Sequence, residues 1–253
     1  MFPVERRSRI MAVLQRQGRC LVGDLARELN VSEVTVRQDL DLLEQQGLLI
    51  RTHGGAVLKS KSGLEQPFQQ VENAFKHEKE RIAAAAVRLI APGDTVILDV
   101  GTTVTEVAKR MLELREITVF TNGLNIATIL EANPALTTIV TGGTLRAKQH
   151  SLVNPYAGLI LDQIHVDLAF IGCSGIAVPQ GVTNVNIAEA EIKARFIKAA
   201  QRRVVLADSG KVGKVALAKV ADLSEIDLLI TDRATAPETI ASLREAGLEV
   251  QLV

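Results

Sequence analysis

Five short polar segments carry most of the chemistry that the sequence offers. They are Asp99-Val100-Gly101-Thr102-Thr103, Thr121-Asn122-Gly123, Thr141-Gly142-Gly143-Thr144, Gly172-Cys173-Ser174-Gly175 and Ala207-Asp208-Ser209-Gly210-Lys211. Each directly follows an apolar, β-branched run. Glycines let a ligand approach the backbone closely, hydroxyls both donate and accept, and Lys211 adds a positive charge. The first segment opens into a helical pattern, so free N–H groups at that helix start would face an anion. A later helical stretch adds Glu189 and Lys193. This mixture suits a small, polar, anionic molecule such as a phosphorylated monosaccharide. Phosphate would sit on amides and a lysine, while Asp99 or Glu189 would accept sugar hydroxyls. The expected ligand-binding set is Asp99, Gly101, Thr102, Thr103, Thr121, Asn122, Gly142, Gly143, Glu189, Lys193 and Lys211. Two plainer roles compete. Lys193 could form an i,i+4 ion pair with Glu189 on a solvated helix face, and Asp99 could be a helix N-cap.

Other chemistries find little support. His53, His77, His150 and His165 are scattered without ligand spacing, so no metal is expected. Cys173 has no histidine near it in sequence and is expected to be a small buried residue or part of a ligand-lining wall. The chain lacks a G-x-S-x-G elbow and a Walker A sequence. Gly172 to Gly175 does not match G-x-G-x-x-G, so no dinucleotide or other cofactor is expected. One catalytic reading stays open, in which Asp99, Glu189 and Lys211 act as acid, base and electrostatic clamp.

The elements that must position these residues alternate. Strand-type runs lie at 95–98, 117–120, 136–140, 168–171, 204–206 and 226–230. Helical patterns lie near 78–90, 104–112, 124–132, 189–200 and 237–246, and 249–253 could add an edge strand. Such alternation predicts a mostly parallel sheet with helices on both faces, which binds ligands at the carboxyl ends of its strands.

The first 58 residues differ in character. They hold eight arginines against seven acidic residues and no lysine. Apolar spacing predicts helices over 5–17, 22–29 and 33–46, stopped at Gly18 and Gly47, with Ser32 as an N-cap of the third. A hairpin follows: 48–52, a turn at His53-Gly54-Gly55, and 56–58. Three short helices and a hairpin make a winged helix-turn-helix, whose third helix enters the major groove by its first turns. Ser32, Glu33, Thr35, Arg37 and Gln38 are left exposed there, with Val36 and Leu40 turned inward. The expected contacts to double-stranded DNA are Ser32, Thr35, Arg37, Gln38 and, on the wing, Arg51 and His53. In this reading Thr35 bonds a phosphate or touches a thymine methyl. Residues 59–75 are polar with weak periodicity and read as a linker, with helix allowed after Pro67. The expected domains are therefore 1–58, a linker over 59–75, and 76–253.

Composition agrees. The 253 residues are 47% hydrophobic, enough for a sizeable core, so wholesale disorder is excluded. Lys+Arg and Asp+Glu are equal at 29 each, so attraction to DNA must be local to the arginine-bearing head and salt-dependent. Aromatics are only 3%, too few for stacking on single strands. Two separated cysteines exclude a disulfide scaffold, and no apolar run spans a membrane. The first residues lack an apolar leader pattern, so a cytoplasmic protein is expected.

Taken together, the chain resembles the DeoR family of bacterial transcriptional regulators over nearly its whole length. Glu5-Arg6-Arg7, Val31 through Leu40, and Arg51-Thr52-His53-Gly54-Gly55-Ala56 resemble the family's DNA-binding signature. Gln38 is a departure, since the family more often has Arg there. Asp99 to Thr103, Thr121-Asn122, Gly142-Gly143, Asn186 through Lys193, and Asp208 to Lys211 resemble its effector domain. Asn154, Gly210 and Val212 depart from its usual Gly, Ser and Phe. The resemblance implies an effector domain similar in fold to ribose-phosphate isomerases and CoA transferases. It also implies a repressor of a carbohydrate catabolic operon, whose grip on operator DNA is set by a phosphorylated sugar or related intermediate. Symmetric half-sites imply a homo-oligomer, dimer or higher. The competing readings are a sugar-phosphate isomerase or CoA-transferase-like enzyme with an accessory DNA-binding head, and an architectural DNA-binding protein with a degenerate second domain.

Overall fold

The computed structural model describes residues 2–17, 19–45, 49–52, 54–58, 67–154 and 156–253. The predicted stops Gly18 and Gly47, the wing residue His53 and the stretch 59–66 lie outside the described residues. The chain divides into two compact units, Met1–Lys76 and His77–Val253.

In the first unit the order is α1 (Pro3–Gln17), β1 (Arg19–Leu21), α2 (Val22–Leu29), α3 (Glu33–Gln45), β2 (Leu49–Thr52), β3 (Gly55–Leu58) and α4 (Phe68–Glu72). Its core gathers Ile10 and Leu14 of α1, Leu25 and Leu29 of α2, Val36, Leu40 and Leu43 of α3, and Leu49 of β2. Each such side chain, fully buried, contributes about 1.5–3 kcal/mol. Asn30, in a left-handed conformation (φ 52°), ends α2 and turns the chain within two residues. Ser32 Oγ then accepts from the Thr35 N–H at 3.1 Å, the N-cap expected for α3. The sheet has the order β1-β3-β2, all antiparallel. Strand β1 was not anticipated: three residues carry no period of their own, and only pairing with β3 makes them a strand. This is a winged helix-turn-helix. The second half of the expected linker is α4, which contacts α1 and buries Phe68 in this unit.

The second unit runs α5 (Lys76–Val87), β4 (Thr95–Leu98), α6 (Thr102–Arg110), β5 (Ile117–Thr121), α7 (Leu124–Leu130) and β6 (Leu136–Val140). It continues with β7 (Thr144–Arg146), β8 (Ser151–Val153), α8 (Ala157–Leu161), β9 (Val166–Gly172), β10 (Gly175–Ala177), β11 (Gly181–Asn184) and α9 (Ile187–Ala199). It closes with β12 (Ala200–Leu206), β13 (Ala218–Ala221), β14 (Leu228–Thr231), α10 (Pro237–Glu245) and β15 (Glu249–Leu252). Seven strands form one sheet in the order β15-β14-β12-β9-β4-β5-β6. Every pairing in it is parallel. Two antiparallel additions were not foreseen, the sheet β10-β11-β13 and the hairpin β7-β8.

Alternation along the strands splits the core in two. Ile97, Ala169, Ile171, Val205 and Leu229 face α8, α9 and α10. Val96, Leu98, Leu168, Phe170, Val204 and Ile230 face α5, α6 and α7. With both faces covered, only the strand ends are open to a ligand. From β4 the chain builds outward to β5 and β6; from β9, its other neighbour, it builds the opposite way to β12, β14 and β15. The sheet's switch point therefore lies between the carboxyl ends of β4 and β9, where open α/β sheets leave a crevice.

Candidate functional site

On the first unit, the outward stripe of α3 carries Val34, Arg37 and Gln38, all exposed, while Val36, Asp39 and Leu40 face the core. Arg37 donates to Glu33 Oε2 at 2.6 Å, an exposed i,i+4 pair that DNA would compete for. Thr35 is half-buried and its hydroxyl lies 2.9 Å from that of Ser32. Arg51, on the wing, donates to Gly55 O at 3.0 Å and lies 2.9 Å from Asp41 Oδ1. It ties the wing to α3. Arg6, from the family-like N-terminal signature, pairs with Asp39 in the interior.

On the second unit, Asp99 and Lys193 meet in a buried ion pair at the switch point, their side chains 0% and 3% exposed. Asp99 Oδ2 also accepts from the Gly172 N–H at 2.9 Å. Burial pushes the Asp99 carboxyl up from the ordinary carboxylate range, against the pull of Lys193 and the Gly172 amide. Neither plainer role holds. Asp99 does not cap α6, whose N-cap position is Gly101 (φ 133°) with no side-chain cap. Lys193 is not on a solvated face, and its partner is Asp99 rather than Glu189.

Glu189 turns to the β7-β8 hairpin instead. It accepts from Arg146, from Ser151 Oγ at 2.6 Å and from Asn184 Nδ2 at 3.2 Å. Asn186 Oδ1 accepts from its backbone N–H at 3.1 Å and starts α9. The same hairpin reaches back over β5 and β6. Asn122 Nδ2 donates to Leu152 O at 3.1 Å, and a Cβ on Gly143 (φ 126°) would lie 2.2 Å from Val153 O. Any side chain at 143 would lift the hairpin. Cys173, at the end of β9, feels the charges of Lys211, Lys193, Asp208 and Asp99 together. The loops after β4, β5, β6, β9 and β12 thus converge on one site.

Arg146, Ser151, Cys173, Asn184 and Asp208 were not in the expected set. Arg146, Ser151 and Asn184 became legible only once the hairpin and β11 had formed, while Cys173 stood in the strand-end segment after β9. Asp208 stood in a quoted segment beside Lys211, whose ammonium lies 3.9 Å from its Oδ2. Among the described residues, no group of His, Cys, Asp and Glu is arranged to hold a metal ion. An open depression lined by His165, Asp167, Lys198 and Gln201 lies at the amino ends of β9 and β12. That is the edge opposite to ligand sites in such folds.

Burial pushes both thiols up, to about 11 for Cys20 and about 11 for Cys173. At pH 8 each is a thiol rather than the reactive thiolate. Native protein should therefore take up no iodoacetamide by mass spectrometry, and denatured protein two adducts. Rapid native labelling of Cys173 would contradict its burial.

A winged helix-turn-helix head and a parallel α/β body with buried polar residues at its switch point fit a one-component transcriptional regulator. Comparison with known proteins agrees. Residues 6–62 match the DeoR-like helix-turn-helix domain and residues 74–233 match the DeoR C terminal sensor domain. The putative aga operon transcriptional repressor of Escherichia coli O157:H7 is 37% identical, covering 98% of this chain and 93% of its own. The HTH-type transcriptional regulator GolR of Listeria innocua is 34% identical, covering 100% and 99%. Ribose 5-phosphate isomerase A from Methanocaldococcus jannaschii superposes at a TM-score of 0.40 with 16% identity, covering 55% of each chain. The chain belongs to the DeoR family. No helix among the described residues is long and apolar enough to cross a membrane.

Proposed function

We propose that this regulator represses a carbohydrate catabolic operon and that a phosphorylated monosaccharide in the crevice releases it from its operator. The observation that carries this reading is a set of buried polar atoms with no hydrogen-bond partner among the described residues. They are Thr102 Oγ1 and Thr103 Oγ1 at the start of α6, Asp99 Oδ1, Asn122 Oδ1 and Asp208 Oδ2. Unpaired buried groups cost about 1–3 kcal/mol each, so a ligand that pairs them is strongly favoured. Hydroxyls at a helix N-terminus suit phosphate, and the carboxylate and amide oxygens suit sugar hydroxyls.

Charge matching supports a regulatory role. Lys193 is matched by Asp99, Arg146 by Glu189 and Lys211 by Asp208. A dianion that engages one of these three cations draws it from its partner. Lys193 is sealed in, whereas Arg146 and Lys211 are 20% and 22% exposed, and the Lys211 pair is loose. Phosphate that took Lys211 from its loose pair, or Arg146 from Glu189, would change the contacts of the loop or hairpin that each holds. Such differential contact is what a ligand needs to shift an equilibrium. Both oxygens of Glu189 are already hydrogen-bonded, which disfavours a catalytic base there. Two such chains or more would place paired heads on two half-sites.

The test is a thermal-shift screen of the full chain against phosphorylated monosaccharides and their unphosphorylated counterparts. At least one phosphorylated sugar should raise the melting midpoint by several degrees, and its unphosphorylated form should not. Equal response to both, or to neither, would overturn the phosphate assignment.

A further inference from the structure

We propose that Val34 is a specificity-determining residue: in the major groove it packs on the 5-methyl group of a thymine adjacent to the base pair that Arg37 reaches. Val34 is 60% exposed in the first turn of α3. A lone exposed valine is ordinary on a protein surface. This one lies on the outward stripe with Arg37 and Gln38, at i+3 and i+4, where neighbouring side chains stand about 5–6 Å apart. The first turns of the recognition helix contact base edges. The other methyl-bearing residues of that turn are Val36, which is buried, and Thr35, which is half-buried with its hydroxyl bound to Ser32. Val34 is the one presented outward.

The chemistry then narrows the partner. Valine has no donor or acceptor, and in the major groove the apolar complement is the thymine C5-methyl. A helical β-branched side chain holds essentially one χ1 rotamer, so its two methyls are presented at small entropic cost.

The test isolates the methyl. An operator is selected from random duplexes with the full chain, and each thymine is replaced in turn by deoxyuridine, which lacks only that methyl. Burying one methyl is worth about fourfold in affinity. Wild type should lose about fourfold at one thymine per half-site. Val34→Ala should bind the thymine operator correspondingly more weakly and be indifferent to deoxyuridine there. Alanine is a better helix former, so an unchanged circular-dichroism melt is expected. Indifference of wild type at every thymine, or undiminished sensitivity in Val34→Ala, would overturn the proposal. Failure to select any preferred sequence would overturn the placement of α3 in the groove, and the proposal with it.

Discussion

Replacing Arg37 by alanine should abolish tight operator binding while leaving the fold intact. Arg37 is exposed, and its partner, Glu33, makes an i,i+4 surface pair. Such pairs contribute only about 0.3–0.5 kcal/mol, so the melting midpoint should hardly move. A bidentate base contact is worth about 1–3 kcal/mol per head, or about 5- to 150-fold, and two heads on two half-sites compound the loss. Operator affinity by fluorescence anisotropy, beside a thermal melt, decides it. Unchanged affinity would remove α3 from the groove. Glu33→Gln provides the opposite control. It frees the guanidinium and takes away a negative charge, so affinity should rise, most of all for non-operator DNA.

The second large effect is expected inside the body. Lys193→Met should destabilise it by about 3–5 kcal/mol, because Asp99 would be left fully buried without its cation. Asp99→Asn in the same chain should return much of that loss, since no uncompensated charge remains. Denaturant unfolding followed on the second unit measures both expectations. If Lys193→Met proved as stable as wild type, the pair would not be the buried contact seen here.

The sequence was informative where local period and burial agree. The strand at 136–140 and the helix at 22–29 were both predicted to the residue, because apolar spacing and turn residues bracket them. Ser32 as N-cap was legible for the same reason. Contacts of long range were not. Asp99 and Lys193 lie 94 residues apart, and only the switch between β4 and β9 brings them together. Local reasoning gave Lys193 to Glu189, which is four residues away, whereas Glu189 is held by a hairpin 38 to 43 residues upstream. Strands β1, β7 and β8 are three residues each and acquire extended structure from their partners.

Operator affinity should be measured with and without a saturating concentration of the phosphorylated sugar that most stabilises the protein. The reverse titration, sugar binding with and without operator, completes the cycle. Linkage requires the sugar to weaken operator binding and the operator to weaken sugar binding by the same factor, about 5- to 150-fold for typical coupling. A sugar that binds the body yet leaves operator affinity unchanged would contradict control of the head by the crevice.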